Sequence, residues 1–238
     1  MEQNMKKYWA VIPAAGVGKR MGSDIPKQYL KLGETTVIER TLTVLLDFYP
    51  INGAVVALGK DDPYWPELAY THHKPLYTVD GGKERYDSVL NALEKLLEIG
   101  NEDDWVMVHD AARPNLSSAD IHKLIQTGSE TEDGALLGYH VRDTMKRASN
   151  DDRVEITVDR AKLWHALTPQ MFPLKKLYDA TINARQSGVA ITDDSSAMEL
   201  AGYHPLMVEG DPSNIKITTQ KDLELIKKMM GIKEEDRN

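Results

Sequence analysis

A glycine-containing loop near the N-terminus is the segment of the sequence best suited to chemistry. It runs Pro13-Ala-Ala-Gly-Val-Gly-Lys-Arg-Met-Gly22. Small side chains let the backbone approach a ligand and point N–H groups at phosphates. Arg20 lies in the loop, and Lys27 follows seven residues later behind Pro26. The pattern predicts two cations converging on one anion, with a glycine turn that carries solvated cations as the alternative.

The loop differs from two common nucleotide-binding motifs. Pro13 stands where a Walker A loop has its first glycine, and Arg20 stands where that loop has Ser or Thr, which disfavours P-loop ATPase chemistry. Gly16 and Gly18 are followed by Met21 at the third glycine position of a dinucleotide-binding motif, which disfavours hydride transfer. What remains is a glycine loop whose cations can converge on another kind of anionic ligand.

Composition excludes several classes of function. The 238 residues carry a formal charge of −8, which argues against broad nucleic-acid binding because that requires a basic face. The chain has no cysteine, so thiolate catalysis, disulfides and cysteine-bound zinc are excluded. No apolar stretch approaches the length of a membrane span. We expect one domain over 1–238, in the cytoplasm, with no nucleic-acid or membrane partner.

Alternating apolar runs and helical patterns must position this loop. Unbroken apolar strands are typical of a sheet that is covered on both faces, and their alternation with helices predicts an α/β fold with a mostly parallel sheet. The predicted strands are 8–13, 54–58, 105–109 and 135–139, and the predicted helices are 84–99, 117–128, 173–187, 195–200 and 221–230.

The pattern changes after Asp143. Residues 144–147 and the alternating residues 154–158 flank the turn-forming stretch 149–152, which predicts an inserted β-hairpin with bounds 141–162. A two-stranded ribbon is only marginally stable in water by itself. The hairpin therefore packs against either its own domain or a partner subunit, and the pattern leaves both open.

Short motifs lie in order along residues 8 to 230, at 14–21, 26–29, 80–85 with Ser88, 109–114, 142–147, 157–160, 163–170, 192–195 and 214–217. Together they resemble the 2-C-methyl-D-erythritol 4-phosphate cytidylyltransferase family. The resemblance implies a Rossmann-like nucleotidyltransferase fold of the GT-A type and a homodimer interlocked through the hairpin arm. It also implies that CTP and methylerythritol phosphate react, with Mg²⁺, to give 4-diphosphocytidyl-2-C-methyl-D-erythritol and pyrophosphate.

The resemblance assigns residues to an in-line attack on the α-phosphorus of CTP, which needs positioning and charge stabilisation. The catalytic cations would be Arg20, Lys27 and Lys216, and Asp110 would bind the metal. The methylerythritol phosphate would meet Arg113, Thr144, Arg160 and Lys216, with Thr144 supplied across the dimer. The nucleotide contacts would be Pro13, Ala14, Ala15, Gly16, Gly18, Lys19, Gly81, Gly82, Ser88, Asp110 and Ala111.

Most of these residues also have a plainer interpretation. Lys216 lies between two isoleucines and, without the resemblance, would be interpreted as a surface lysine on an edge strand. Asp110 could cap a helix or close a turn, and Ser88 could be an ordinary polar helix residue. Thr144 and Arg160 could simply decorate strands.

His109 and His165 are interpreted as structural, because a phosphate monoester is already anionic near neutral pH and needs no general base. The acidic run 192–195 is interpreted as a helix cap, with a hydrogen bond to substrate as a further possibility.

Two other functions stay open. A ribitol 5-phosphate cytidylyltransferase would share the loop and fold, although residues 144–147 and 164–168 look more like the methylerythritol enzyme. A nucleotide-binding regulatory protein could keep the pocket and lack transfer, but the retained cations Arg20, Lys27 and Lys216 argue against it.

Overall fold

A seven-stranded sheet forms the centre of the molecule. The structure is a computed structural model that describes residues 6–16, 21–22 and 25–233. The strands lie in the order β11-β7-β10-β6-β1-β4-β5. Their bounds are β1 Tyr8–Pro13, β4 Ile51–Leu58, β5 Leu76–Asp80, β6 Trp105–Val108, β7 Ala135–His140, β10 Trp164–Pro173 and β11 Leu206–Glu209.

The predicted mostly parallel sheet is confirmed, with one exception. Strand β1 pairs in parallel with both β4 and β6, β4 pairs in parallel with β5, and β7 pairs in parallel with β11. Strand β10 is antiparallel to both of its neighbours, β6 and β7. The chain leaves β1 toward β4 on one side and returns to β6 on the other, so β1 lies at the point where the strand order reverses.

Helices cover both faces of the sheet. One face carries α1 and α4, whose Leu42 and Leu124 are fully buried in the same apolar cluster. The other carries α3 and α5, whose Leu93 and Leu177 are buried in a second cluster. The helix bounds are α1 Val37–Leu46, α2 Trp65–Leu68, α3 Arg85–Ile99, α4 Ser118–Gly128, α5 Leu174–Ser187, α6 Asp194–Leu200 and α7 Gln220–Met229.

Helix starts follow the local sequence signals. The Ser117 hydroxyl accepts a hydrogen bond from the Asp120 N–H and caps α4, as the sequence predicts. Asp193 does the same for α6 by accepting from the Ser196 N–H at 3.0 Å. Such caps satisfy N–H groups that have no partner within a helix. No helix in the described ranges is long and apolar enough to cross a membrane.

The predicted hairpin is present and stands apart from the central sheet. Strands β8 Met145–Ala148 and β9 Val154–Val158 pair with each other in antiparallel register. They form a separate two-stranded sheet, inserted between β7 and β10. A second small ribbon joins β2 Lys31–Leu32 to β3 Thr35–Thr36.

One alternative interpretation from the sequence is wrong. The segment that contains Lys216 belongs to no strand, so Lys216 is not an edge-strand lysine. The segment is fastened instead by the Ile217 N–H, which donates to the Ala112 carbonyl at 2.9 Å. Ala112 and Ile217 are buried in a small cluster with Leu223 and Ile226 of α7, which holds Lys216 in place.

Candidate functional site

The site lies where the carboxyl ends of three parallel strands meet. Strand β1 runs into the glycine loop, β5 into Gly81 and Gly82, and β6 into His109 and Asp110. Open α/β sheets bind ligands at this edge, beside the strand where the order reverses. A cavity of about 220 Å³ lies there, lined by Pro13, Ala14, Ala15, Gly16, Lys27, Gln28, Gly82, Lys83, Glu84, Arg85, Ser88, Asp110, Ala111, Ala112 and Lys216.

Asp110 is the electrostatic centre of this cavity. Its buried carboxylate is 2.9 Å from Nζ of Lys216 and 3.3 Å from Nε of both Arg85 and Arg113. Burial by itself would raise the pKa of Asp110, but the three cations outweigh it and hold that pKa well below its usual range. Asp110 does lie in a turn, since its carbonyl accepts a hydrogen bond from the Arg113 N–H. Its side chain also pairs with three cations, and a turn does not require such pairing.

Lys27 and Lys216 reach the same cavity from distant parts of the chain. Lys27 opens a 3₁₀ turn, Lys27–Tyr29, and its Nζ donates to the Ile217 carbonyl at 2.9 Å. The next side chain, Gln28, donates to the carbonyls of Ala14 and Gly16. The turn is thereby fastened to the glycine loop on one side and to the Lys216 segment on the other.

Close packing shapes the end of the cavity beside α3. A Cβ on Gly81 would lie 2.3 Å from Cβ of Ala15, and one on Gly82 would lie 2.1 Å from Cβ of Asp87. Both positions therefore require glycine. The Ser88 hydroxyl is buried and accepts a hydrogen bond from the Gly82 N–H at 3.0 Å. Gly81 itself packs behind the cavity wall rather than lining it.

A second cavity of about 310 Å³ adjoins the first. It shares Arg85, Asp110 and Lys216 with the first cavity and adds Arg113. The Arg113 guanidinium also donates to the Asn214 carbonyl at 2.7 Å, which ties it to the Lys216 segment. The remaining lining residues are Ala166, Leu167, Thr168, Gln170, Thr192 and Asp193. Two adjoining spaces around one charge cluster can hold two anionic groups side by side.

Arg85 and Asp194 were missed by sequence reasoning as site residues. The Arg85 guanidinium bonds both oxygens of Asp194, at 3.0 and 2.8 Å, and also contacts Asp110. Burial would lower the pKa of Arg85, but Asp194 and Asp110 outweigh it and raise that pKa. Arg85 lies in the stretch 80–85, whose match to the family was the signal that could have identified it. Its partner is 109 residues away, so no local pattern pairs them.

Three predicted residues fall outside this description, and two lie away from the cavities. Gly18, Lys19 and Arg20 are outside the described residues. Thr144 and Arg160 line neither cavity, and both are exposed on the arm. The Arg160 guanidinium donates to the carbonyl of Arg142 at the base of the hairpin.

The two histidines differ in setting. His109 is buried, and burial lowers its pKa to about 4, so it is uncharged at neutral pH. Its ring bonds the Thr168 hydroxyl and the Arg113 carbonyl, each at 3.0 Å. His165 is exposed and stacks on Tyr139 with ring centroids 4.6 Å apart. Neither ring lines the two cavities.

Within the described residues, no group of three or more His, Cys, Asp or Glu side chains could hold a metal ion. A cation at this site would therefore depend on Asp110, which lines both cavities. Its Oδ1 has one ion-pair partner, whereas Oδ2 has two. Since a carboxylate oxygen offers two lone pairs, Oδ1 is the atom better suited to a metal.

Fold and site together define a nucleotidyltransferase of the α/β class. The chain belongs to the 2-C-methyl-D-erythritol 4-phosphate cytidylyltransferase family, whose sequence pattern matches residues 8–231. The predicted family is thus confirmed. A cytidylyltransferase of this name from Pseudomonas aeruginosa strain UCBPP-PA14 is 52% identical over 221 residues, which are 92% of this chain and 94% of that protein.

Solved structures support the same conclusion. A 4-diphosphocytidyl-2C-methyl-D-erythritol synthase superposes with a TM-score of 0.82 at 33% identity, over 95% of this chain and all of that one. The 2-C-methyl-D-erythritol 4-phosphate cytidylyltransferase of Francisella tularensis superposes with a TM-score of 0.80 at 34% identity, over 93% of this chain and 98% of that one.

Proposed function

We propose that this protein transfers the cytidylyl group of CTP to the phosphate of 2-C-methyl-D-erythritol 4-phosphate and releases pyrophosphate, a step of non-mevalonate isoprenoid synthesis. One observation carries the assignment of roles. Lys27, Lys216 and Asp110 line a single cavity, and this cavity adjoins a second one that contains Arg113. Two anionic substrates can thus meet beside one cluster of charge.

The triphosphate lies against the cations in this proposal. Lys27 and Lys216 contact phosphate oxygens, and the family resemblance assigns Arg20 the same role. Ala15 and Gly16 line the cavity, where their small size lets the backbone approach the phosphates, and Pro13 and Ala111 complete the wall. Such cations act most strongly on charge that develops as pyrophosphate leaves. The attacking phosphate is itself anionic, so the chemistry requires no protein nucleophile.

Cytosine occupies the end of the cavity beside α3. Backbone groups of Ala14, Ala15 and Gly82 line this end and meet the edge of the base, and the Ser88 hydroxyl fixes the Gly82 backbone by accepting from its N–H. A base with a different donor and acceptor pattern would leave buried polar groups unpaired, at about 1–3 kcal/mol each. This cost favours CTP over UTP.

Asp110 is the residue that would hold Mg²⁺. Mg²⁺ binds through one or two carboxylates and completes its shell with phosphate oxygens and water, which suits a site where one carboxylate, that of Asp110, lines both cavities. When bound, the ion would offset charge on the triphosphate. Lys216 and Arg113 share Asp110 in this structure, so they are placed to turn toward the two substrates.

The alcohol phosphate lies in the second cavity, against Arg113 and Lys216. Thr144 and Arg160 lie on the exposed arm, and in this proposal Thr144 serves the site of a partner subunit in a homodimer. Val154 and Ile156 support the dimer, because they are 63% and 55% exposed on the arm and would gain from burial. Both substrates are highly charged and water-soluble, which accords with a cytoplasmic enzyme.

Pyrophosphate release tests this function. The full-length protein is given CTP and methylerythritol phosphate with Mg²⁺, and UTP and ribitol 5-phosphate replace each substrate in turn. We expect release with the first pair and much less with either replacement. Lys216→Ala should abolish it, whereas the exposed Lys221→Ala should match the parent. Preference for ribitol 5-phosphate, or no release with any pair, would contradict the proposal.

A further inference from the structure

A buried chain of hydrogen bonds lies directly behind Asp110. The Asp110 N–H donates to the Thr168 hydroxyl at 3.1 Å, and that hydroxyl is 3.0 Å from Nδ1 of His109. On the other side of the ring, Nε2 of His109 is 3.0 Å from the Arg113 carbonyl. His109 and Thr168 are 1% and 5% exposed, so water does not compete for these contacts.

Only one arrangement of protons satisfies every member of this chain. A carbonyl oxygen can only accept, so Nε2 of His109 carries a proton and donates to Arg113. If Nδ1 also carried a proton, the Thr168 hydroxyl would accept from both Nδ1 and the Asp110 N–H, and its own proton would have no acceptor among the described contacts. Nδ1 is then an acceptor, and the Thr168 hydroxyl must donate to it. The hydroxyl oxygen remains free to accept from the Asp110 N–H.

The chain of hydrogen bonds fastens both ends of the turn 110–113, which carries Asp110 and Arg113. One end is the Asp110 N–H, and the other is the Arg113 carbonyl. Thr168 is also joined to the Lys216 segment, because its carbonyl accepts from the Asn214 side chain at 2.8 Å. The Asn214 carbonyl in turn accepts from Arg113. One threonine thus connects the segments that carry Asp110, Arg113 and Lys216.

We propose that His109 and Thr168 are positioning residues for cytidylyl transfer, and that the Thr168 hydroxyl, by donating to Nδ1 of His109, holds Asp110 and Arg113 in register with Lys216. The inference rests on the proposed function for its effect on rate. The proton arrangement itself does not depend on that function.

The kinetic test compares Thr168→Val with Thr168→Ser. Valine keeps the shape of threonine without the hydroxyl, and serine keeps the hydroxyl. A small misplacement of reacting groups can cost on the order of 100-fold in rate, so we expect kcat of Thr168→Val to fall roughly 10- to 100-fold. KM for CTP should change little, because the base end of the cavity is built elsewhere. Thr168→Ser should stay close to the parent.

The spectroscopic test is independent of activity. In ¹⁵N NMR of the full-length protein at neutral pH, His109 should show a protonated Nε2 and an unprotonated Nδ1 accepting a hydrogen bond. This measurement decides the proton arrangement even if Thr168→Val fails to fold or the parent lacks the proposed transfer activity.

Several results would overturn the inference. A His109 ring protonated at Nδ1, or at both nitrogens, would contradict the proton arrangement. Parent-like kcat in Thr168→Val, or equal losses in the valine and serine variants, would show that the hydroxyl does not position the site. Loss in valine with rescue by serine supports the inference.

Discussion

The turn 110–113 and the arm 141–162 both carry residues assigned to substrate, but their settings are opposite. In the turn, Asp110 and Arg113 are largely buried and paired with partners within the same chain. In the arm, both strands are exposed, and Val154 and Ile156 face solvent. A single chain therefore completes the charge cluster at the turn, whereas it leaves both strands of the arm exposed.

The largest expected effect comes from removing Lys27, a cation of the cavity that the turn 110–113 borders. Lys27→Ala should lower kcat roughly 100-fold or more, because its charge is assigned to the developing pyrophosphate. The Kd for CTP should change much less, since the base contacts remain. Steady-state kinetics and calorimetric titration measure the two quantities. Lys31→Ala, an exposed neighbour, is the control, and near-normal kcat in Lys27→Ala would remove the assignment.

Acid should lower the free energy of unfolding through His109, which directly precedes the turn 110–113. Burial depresses the pKa of His109 to about 4, below the usual 6.5 or so, so the unfolded chain binds the proton more readily. Stability is thus fully present above about pH 6.5 and is lost as pH falls toward 4, by up to about 3 kcal/mol. Urea unfolding of the parent and His109→Gln at pH 7.5 and pH 5 measures this. Equal losses in both proteins would show that His109 is not the group responsible.

Asp194→Asn should destabilise the wall shared by the two cavities. The buried carboxylate of Asp194 bonds Arg85 through both oxygens. The substitution removes this negative charge from beside a largely buried guanidinium. We expect the free energy of unfolding to fall by about 2–3 kcal/mol. Asp179→Asn is the matched control, because Asp179 pairs with Lys175 at the surface, where ion pairs contribute little. Similar values for both variants would mean that Asp194 is not a structural anchor.

On the arm side, Thr144→Ala should lower activity roughly tenfold through one lost hydrogen bond to substrate. Mixing it with Lys216→Ala tests whether Thr144 acts across a dimer. Random exchange of subunits would give mixed dimers with one intact site, which restores roughly a quarter of the parent activity. If Thr144 acts within its own chain, every site in a mixed dimer carries a lesion and no recovery follows.

The smallest effect on stability is expected for Ile156→Glu. Its side chain is 55% exposed, so unfolding of the isolated chain should change within about 0.5 kcal/mol. Association should weaken, because a charge would enter the proposed dimer contact. Analytical ultracentrifugation of the parent and the variant measures this. An unchanged assembly state would show that this part of the arm does not form the dimer contact.

Regular elements could be predicted from the sequence where the pattern was periodic and apolar. Strand β1 and helix α3 lie within a residue of their predicted bounds. Strand β10 was missed because Pro169 and polar residues such as His165 and Gln170 interrupt it, although it is central in the sheet. Helix α1 was missed as well, since β-branched residues such as Val37 and Val44 suit strands as readily as helices.

The residues of the candidate site likewise differ in how far the sequence alone could predict them. Lys27, Lys216 and Asp110 could be proposed from family motifs, but only the fold brings them to one cavity. Arg85 at the start of a helix looks like a solvated cation, and its role depends on Asp194 far along the chain. The hydrogen bonds of Thr168 depend likewise on three separate segments. Local patterns do not encode such contacts, because they arise from packing.

The most direct measurement is a crystal structure of the protein with CTP and Mg²⁺. We expect Nζ of Lys27 and Nζ of Lys216 to lie within hydrogen-bonding distance of phosphate oxygens, with the metal on Asp110 and the base beside Gly82 and Ser88. A nucleotide bound elsewhere, while Lys27 stays on the Ile217 carbonyl and Lys216 on Asp110, would contradict this account.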